Sequence, residues 1–128
     1  MNEYEETLKD IKALMGMVPG FMKALPKEVL VHDWPLWNNY TLEDSRIPVK
    51  YRELMGLSVA ANIKCPYCVF FHTSVARMLG ATDEEIAETV FLASLTSRWS
   101  AMLHAQQYDL EILKKEGKQI GDFLSRKK

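Results

Sequence analysis

Cysteine is scarce in this chain: two occur in 128 residues, at positions 65 and 68. A small secreted domain stapled by disulfides carries several, widely spaced. One close pair excludes such a scaffold and points to redox chemistry or to a metal. Net charge is nearly missing too. The 16 basic and 17 acidic side chains leave a formal charge of -1, which offers no electrostatic footprint for nucleic acid or for an anionic membrane. No apolar run approaches the about 18 residues of a membrane span. The acidic start, Met-Asn-Glu-Tyr-Glu-Glu, lacks the basic and then apolar pattern of a signal peptide. These absences predict a cytoplasmic protein. There is also no Asn-Gly or Asp-Gly hairpin signal and no clean period-two alternation, so strands are not expected.

What is present is helical patterning in a chain the size of one domain. About half of the residues are apolar and about a quarter charged, as in an ordinary globular protein. An amphipathic stretch runs from about Glu3 to Met15 and ends at Gly16. Two more are expected, from Pro19 to Val31 and from Asp33 to Leu42, with Asp33 as N-cap and Pro35 in the first turn. A central helix follows from about Pro48 to Ile63. The next begins at Cys65-Pro66 and stops at Gly80. Thr82 or Asp83 caps another, with Glu84 and Glu85 near its positive end. The last long helix is expected from about Ser97 to Lys115, ended by Gly117, with one loose basic turn as the tail to Lys128. Trp99, Met102, Leu103, Leu110 and Leu113 form a narrow, nearly heptad stripe there, suited to a second subunit as well as to a core.

The chemistry concentrates in one segment: Glu53, eleven residues, Cys65-Pro66-Tyr67-Cys68, three residues, His72. Proline fits the first turn of a helix, so Cys65 falls at the N-cap, where unpaired N–H groups and the helix dipole stabilise a thiolate. Cys68 lies one turn on, close enough to close a disulfide. His72 shares the helix face of Cys68, where an imidazole can take a thiol proton and return it. Glu53, on the preceding helix, stands among Gly56, Leu57, Ala60 and Ala61. A carboxylate in such surroundings needs a partner, and His72 is the natural one. Cys65 at the helix end is placed for large partners, Cys68 for help from His72; which attacks first is left open.

Each residue has a plainer reading. A lone C-x-x-C with His72 could be part of a zinc site, but no second C-x-x-C completes it. Taken alone, His72 reads as a satisfied core histidine and Glu53 as a surface residue; their combination on adjoining helices shifts the weight. His32, at a helix end beside Asp33, reads as structural, and His104 as a solvent or interface residue. Trp34, Trp37 and Trp99 read as core or interface. Phe70 and Phe71 read as core on the cysteine helix, where they also keep water from the site. Arg98 and Arg126-Lys127-Lys128 read as solvated charge.

These residues resemble the carboxymuconolactone decarboxylase-like superfamily in its AhpD-like (alkylhydroperoxidase D-like) branch. The resemblance runs from about Arg52 to Ala93 within a core motif at about 48–95. It rests on Glu53, Ala60-Ala61, the C-x-x-C, His72, Ala76, Gly80 and Glu84-Glu85-Ile86. It implies an all-α, AhpD-like bundle of about six to seven helices, one domain over residues 1–128, and a homo-oligomer, a trimer or a hexamer. It implies a redox-active Cys65–Cys68 dithiol with a Glu53–His72 proton relay, no organic cofactor, and small peroxide or disulfide substrates. A peroxiredoxin- or thioredoxin-like protein is the implied redox partner. The best-known alkylhydroperoxidase D proteins are longer and carry a histidine where this chain has Tyr67, so electron donor and acceptor do not carry over. Two other functions stay open. One is a lyase acting on a small carboxylated lactone through His72 and Glu53. The other is a non-catalytic oligomeric thiol or metal-binding module.

Overall fold

Local punctuation sets where the helices begin. In the computed structural model, which describes residues 1–127, Asn2 caps α1 (Glu3–Met15) through a capping box with Glu5, and Gly16 closes it in the left-handed conformation. A single turn, α2 (Gly20–Lys23), leads to α3 (Lys27–Thr41). Helices α4 (Val49–Ile63), α5 (Pro66–Met78), α6 (Asp83–Ala105) and α7 (Leu110–Arg126) follow. The described residues form seven helices and no strand, an all-α fold.

Two apolar clusters hold the helices. Ile11, Met22, Leu30 and Trp34 join α1, α2 and α3. Leu57, Ala76, Ala81 and Ile86 join α4, α5 and α6, with α4 between the other two. Two of the four are alanines, which let the backbones approach closely there. Arg52 ties the halves together. Its guanidinium donates to the carbonyl of Tyr40 at 2.5 Å and to that of Glu43, gathering the free end of α3 onto α4. Hydrogen bonds from a charged group contribute about 1.5–3 kcal/mol. Arg52→Ala is therefore expected to lower the unfolding free energy by about that much, measured by urea denaturation.

Three boundaries differ from the pattern-based expectation. The chain does not break at His32-Asp33. It breaks at Pro26, which caps α3, and α3 then runs unbroken through Pro35. Asp33 is thus no N-cap, and His32 lies mid-helix; both are exposed. The bond lost at Pro35 is offset by burial of Leu30 and Trp34, whose indole donates to Asp10 at 2.5 Å. The last helix expected from Ser97 to Lys115 is two helices. Gln107 takes a left-handed φ of 50° and Asp109 accepts from the N–H groups of Glu111 and Ile112, stopping α6 and starting α7. Gly117 ends nothing, and the presumed loose tail is helical to Arg126, Lys128 lying outside the described residues. Phe70, expected in the core, is 74% exposed on α5.

Helix α7 is amphipathic yet buries no residue. Leu110, Leu113, Ile120, Phe123 and Leu124 all stand exposed along it. Among the described residues, no helix is long and apolar enough to cross a membrane.

Candidate active site

Pro66 opens α5 and leaves Cys65 as the N-cap, in extended conformation. The Cys65 sulfur accepts the backbone N–H of Cys68 at 3.2 Å. Both cysteines are free thiols, partly exposed. Their environments pull them apart. The thiol hydrogen bond from Cys68, joined by the Cys68 N–H, holds the Cys65 pKa below the ordinary thiol value. Donating that same bond raises Cys68, and desolvation and the charge on Cys65 add to the rise. Cys65 is thus the more acidic thiol of the pair, and Cys68 the less acidic one that donates to it.

One turn beyond Cys68, His72 leans across to α4. Its Nδ1 meets Glu53 Oε2 at 2.7 Å. Glu53 is 3% exposed, between the buried Leu57 and Ala60 side of α4 and the face of α5. A carboxylate this deep is tolerable only with such a partner. The carboxylate on Nδ1 makes that nitrogen the protonated one in the neutral ring and leaves Nε2 as the base. Among the described residues, no hydrogen bond joins His72 to either sulfur. The structure thus forms two pairs, Cys65 with Cys68 and Glu53 with His72, along one face of α5.

An aromatic wall closes one side. Trp34 stacks on Trp37 at 5.3 Å between centroids, Trp37 lies 6.4 Å from Phe71, and Phe71 stands edge-on to His72 at 5.4 Å. Phe71 therefore does flank the site. The other side is open, with Tyr67 85% exposed at the helix tip. His104 is remote in role: it is exposed, its Nδ1 against the Ser100 carbonyl of its own helix. Among the described residues no three His, Cys, Asp or Glu side chains converge as metal ligands would. Pattern reading passed over Arg52, whose signal was only its place beside Glu53 after an acidic, Pro-containing loop.

The model of the carboxymuconolactone decarboxylase family matches residues 30–109, well over half of the chain. The chain belongs to the carboxymuconolactone decarboxylase family. The family segment takes in α4, α5 and all four residues of the two pairs. Within the family the fold is AhpD-like: the alkylhydroperoxidase AhpD core from Rhodospirillum rubrum superposes with a TM-score of 0.73 at 25% identity, covering 84% of this chain and 82% of that one. Two curated proteins are similar over shorter stretches. Uncharacterized protein 4 in the cox locus of Paracoccus denitrificans is 31% identical over 64 residues, 50% of this chain and 58% of its own length. An uncharacterized protein of Cupriavidus necator is 38% identical over 48 residues, 38% and 42% of the two lengths. The chain thus spans about half the length of the curated relatives it matches.

Proposed function

We propose that this protein is a thiol-dependent disulfide reductase or alkylhydroperoxidase-like oxidoreductase that cycles between a Cys65–Cys68 dithiol and its disulfide. The observation that carries the reading is the asymmetry of the two sulfurs: Cys65 at the helix N-cap accepts the Cys68 N–H and is the more acidic, and Cys68 one turn on is the less acidic. With a disulfide substrate, the Cys65 thiolate attacks one sulfur and expels the other as a thiolate, leaving a mixed disulfide. Cys68 gives its proton to His72 Nε2 and attacks Cys65, expelling the second substrate thiolate. With a hydroperoxide, Cys65 attacks the terminal oxygen, the O–O bond breaks, and the alkoxide takes a proton and leaves as alcohol. Cys68 then attacks the Cys65 sulfenic acid, and hydroxide leaves as water with the proton that His72 returns. Glu53 holds the imidazole in the right tautomer and orientation, as the third member of any nucleophile, base and orienter set. An external dithiol, thioredoxin-like in chemistry, reduces the disulfide again.

The direct test is reduction of a hydroperoxide and of a small disulfide, with a dithiol donor in excess, by the wild type and by the double variant Cys65→Ser/Cys68→Ser. Turnover lost in the double variant supports the reading, and turnover kept overturns it. A second reading follows from the Glu53–His72 pair, which is an acid–base set without the thiols: a lyase on a small carboxylated lactone, as the family's name describes. That activity survives in the double serine variant.

A homo-oligomer accompanies this reading. A folded monomer of this mass exposes about 6,900 Å², whereas this chain exposes 9971 Å². The excess is of the size that obligate homo-oligomers bury. The bare face of α7, and Tyr51, Met55, Val59 and Ile63 along α4, supply the apolar surface. Sedimentation at micromolar concentration is expected to show a trimer or hexamer; a single monomeric mass would remove this part of the proposal.

A further inference from the structure

Gly56 sits in the middle of α4, three residues after Glu53, where glycine weakens a helix relative to alanine. Its φ is not left-handed and it ends nothing, so the backbone does not require it. The neighbouring ring does. A Cβ built on Gly56 would lie 2.5 Å from His72 Cε1, 2.6 Å from Nδ1 and 2.7 Å from Nε2. These are the three atoms of the imidazole edge that bears both nitrogens. Distances so nearly equal put the Cβ over the face of the ring, which therefore lies against the bare Cα of Gly56 while its Nδ1 reaches Glu53 one turn back. The other helical glycines, Gly20, Gly117 and Gly121, have open space where a side chain would be. The demand is specific to position 56.

We propose that Gly56 is a positioning residue for His72: the missing side chain is the slot that lets the imidazole reach the buried carboxylate of Glu53 and keep Nε2 available as a base. A methyl group fills the slot. The ring is the movable part, so it swings away, the 2.7 Å bond is lost, and the proton acceptor for Cys68 goes with it. The helix itself tolerates the change, because alanine is the better helix former. The functional consequence rests on the dithiol reading above; the steric coupling does not.

The test uses the full-length protein as wild type, Gly56→Ala, His72→Ala and the double variant. Three quantities are measured. One is the thermal midpoint. The second is the imidazole N–H signal of His72 by NMR. The third is the rate at which Cys68 displaces thionitrobenzoate from Cys65 after reaction with the aromatic disulfide 5,5′-dithiobis(2-nitrobenzoate). Gly56→Ala is expected to lose the hydrogen-bonded Nδ1–H signal and to slow displacement by ~10²-fold, the usual size of a lost base. It is expected to raise the thermal midpoint more in the His72→Ala background than in the wild type, because the clash exists only with the ring present. Arg98→Ala, an exposed charge on α6, should leave the Nδ1–H signal and the displacement rate unchanged. Equal midpoint shifts in both backgrounds, or an unchanged Nδ1–H signal in Gly56→Ala, would overturn the positioning role. Slow displacement in His72→Ala with a wild-type rate in Gly56→Ala overturns it as well. A wild-type rate in His72→Ala instead removes the proton relay and leaves the midpoint and NMR criteria to decide the role of Gly56.

Discussion

Cys65→Ser is expected to abolish turnover of hydroperoxide and disulfide substrates, while Cys68→Ser stops it one step later, with Cys65 left as a mixed disulfide by a disulfide substrate and as a sulfenic acid by a hydroperoxide. The difference follows from the hydrogen bonds. Cys65 accepts from the Cys68 N–H and from the Cys68 thiol, and both favour its charged form. Cys68 donates, which raises its pKa and makes it the less acidic of the two. The sign of the pH dependence follows. Lowering the pKa of Cys65 extends its thiolate below the ordinary thiol range, so alkylation of Cys65 should persist to lower pH than that of an ordinary thiol. Raising that of Cys68 confines its thiolate to higher pH, so its alkylation should lag. Serine at 68 still has an O–H to donate and should preserve the reactivity of Cys65. Alanine at 68 has none and should move the Cys65 profile up in pH. Alkylation followed by peptide mass spectrometry reads both residues separately. Equal profiles, or earlier labelling of Cys68, would reverse the assignment of attacker and resolver.

The second large effect concerns Glu53. Glu53→Gln is expected to slow displacement of substrate from Cys65 by ~10²-fold, with the first attack almost unchanged. The amide carbonyl can still accept from His72 Nδ1, so orientation survives in part. What is lost is the negative charge that stabilises the imidazolium as His72 takes the Cys68 proton. The variant should therefore accumulate mixed disulfide in a stopped-flow or quench experiment, as His72→Ala does. If both variants instead lowered the rate of the first attack, His72 would be serving Cys65, and the division of labour between the sulfurs would be wrong.

Where the chain announces its structure, it does so through local chemistry. Cys65-Pro66 marks the start of α5, Thr82 with Glu85 the start of α6, and Pro48 the start of α4, because caps and prolines act within a few residues. The pairing of Glu53 with His72 was legible for a similar reason: a carboxylate among Gly56, Leu57 and Ala60 has few ways to be satisfied. Other features depend on packing between distant segments. Pro35 stays inside α3 because Leu30 and Trp34, in the turn before it, are anchored by α1, a fact invisible within residues 27–41. The break between α6 and α7 hides in an apolar stripe whose spacing carries across it, from Trp99 to Leu113. Asp109 as N-cap was the local signal there, and the periodicity masked it. The need for glycine at 56 was out of reach, because it is set by how closely α5 lies on α4.

The measurement that tests the central claim most directly is a redox titration of the purified protein against a glutathione or dithiothreitol buffer. Free thiols are counted by alkylation and the labelled peptides located by mass spectrometry. The account predicts one reversible two-electron couple, with Cys65 and Cys68 losing their thiols together and regaining them together. Thiols that remain free across the oxidising range, or that couple between chains rather than with each other, would contradict it.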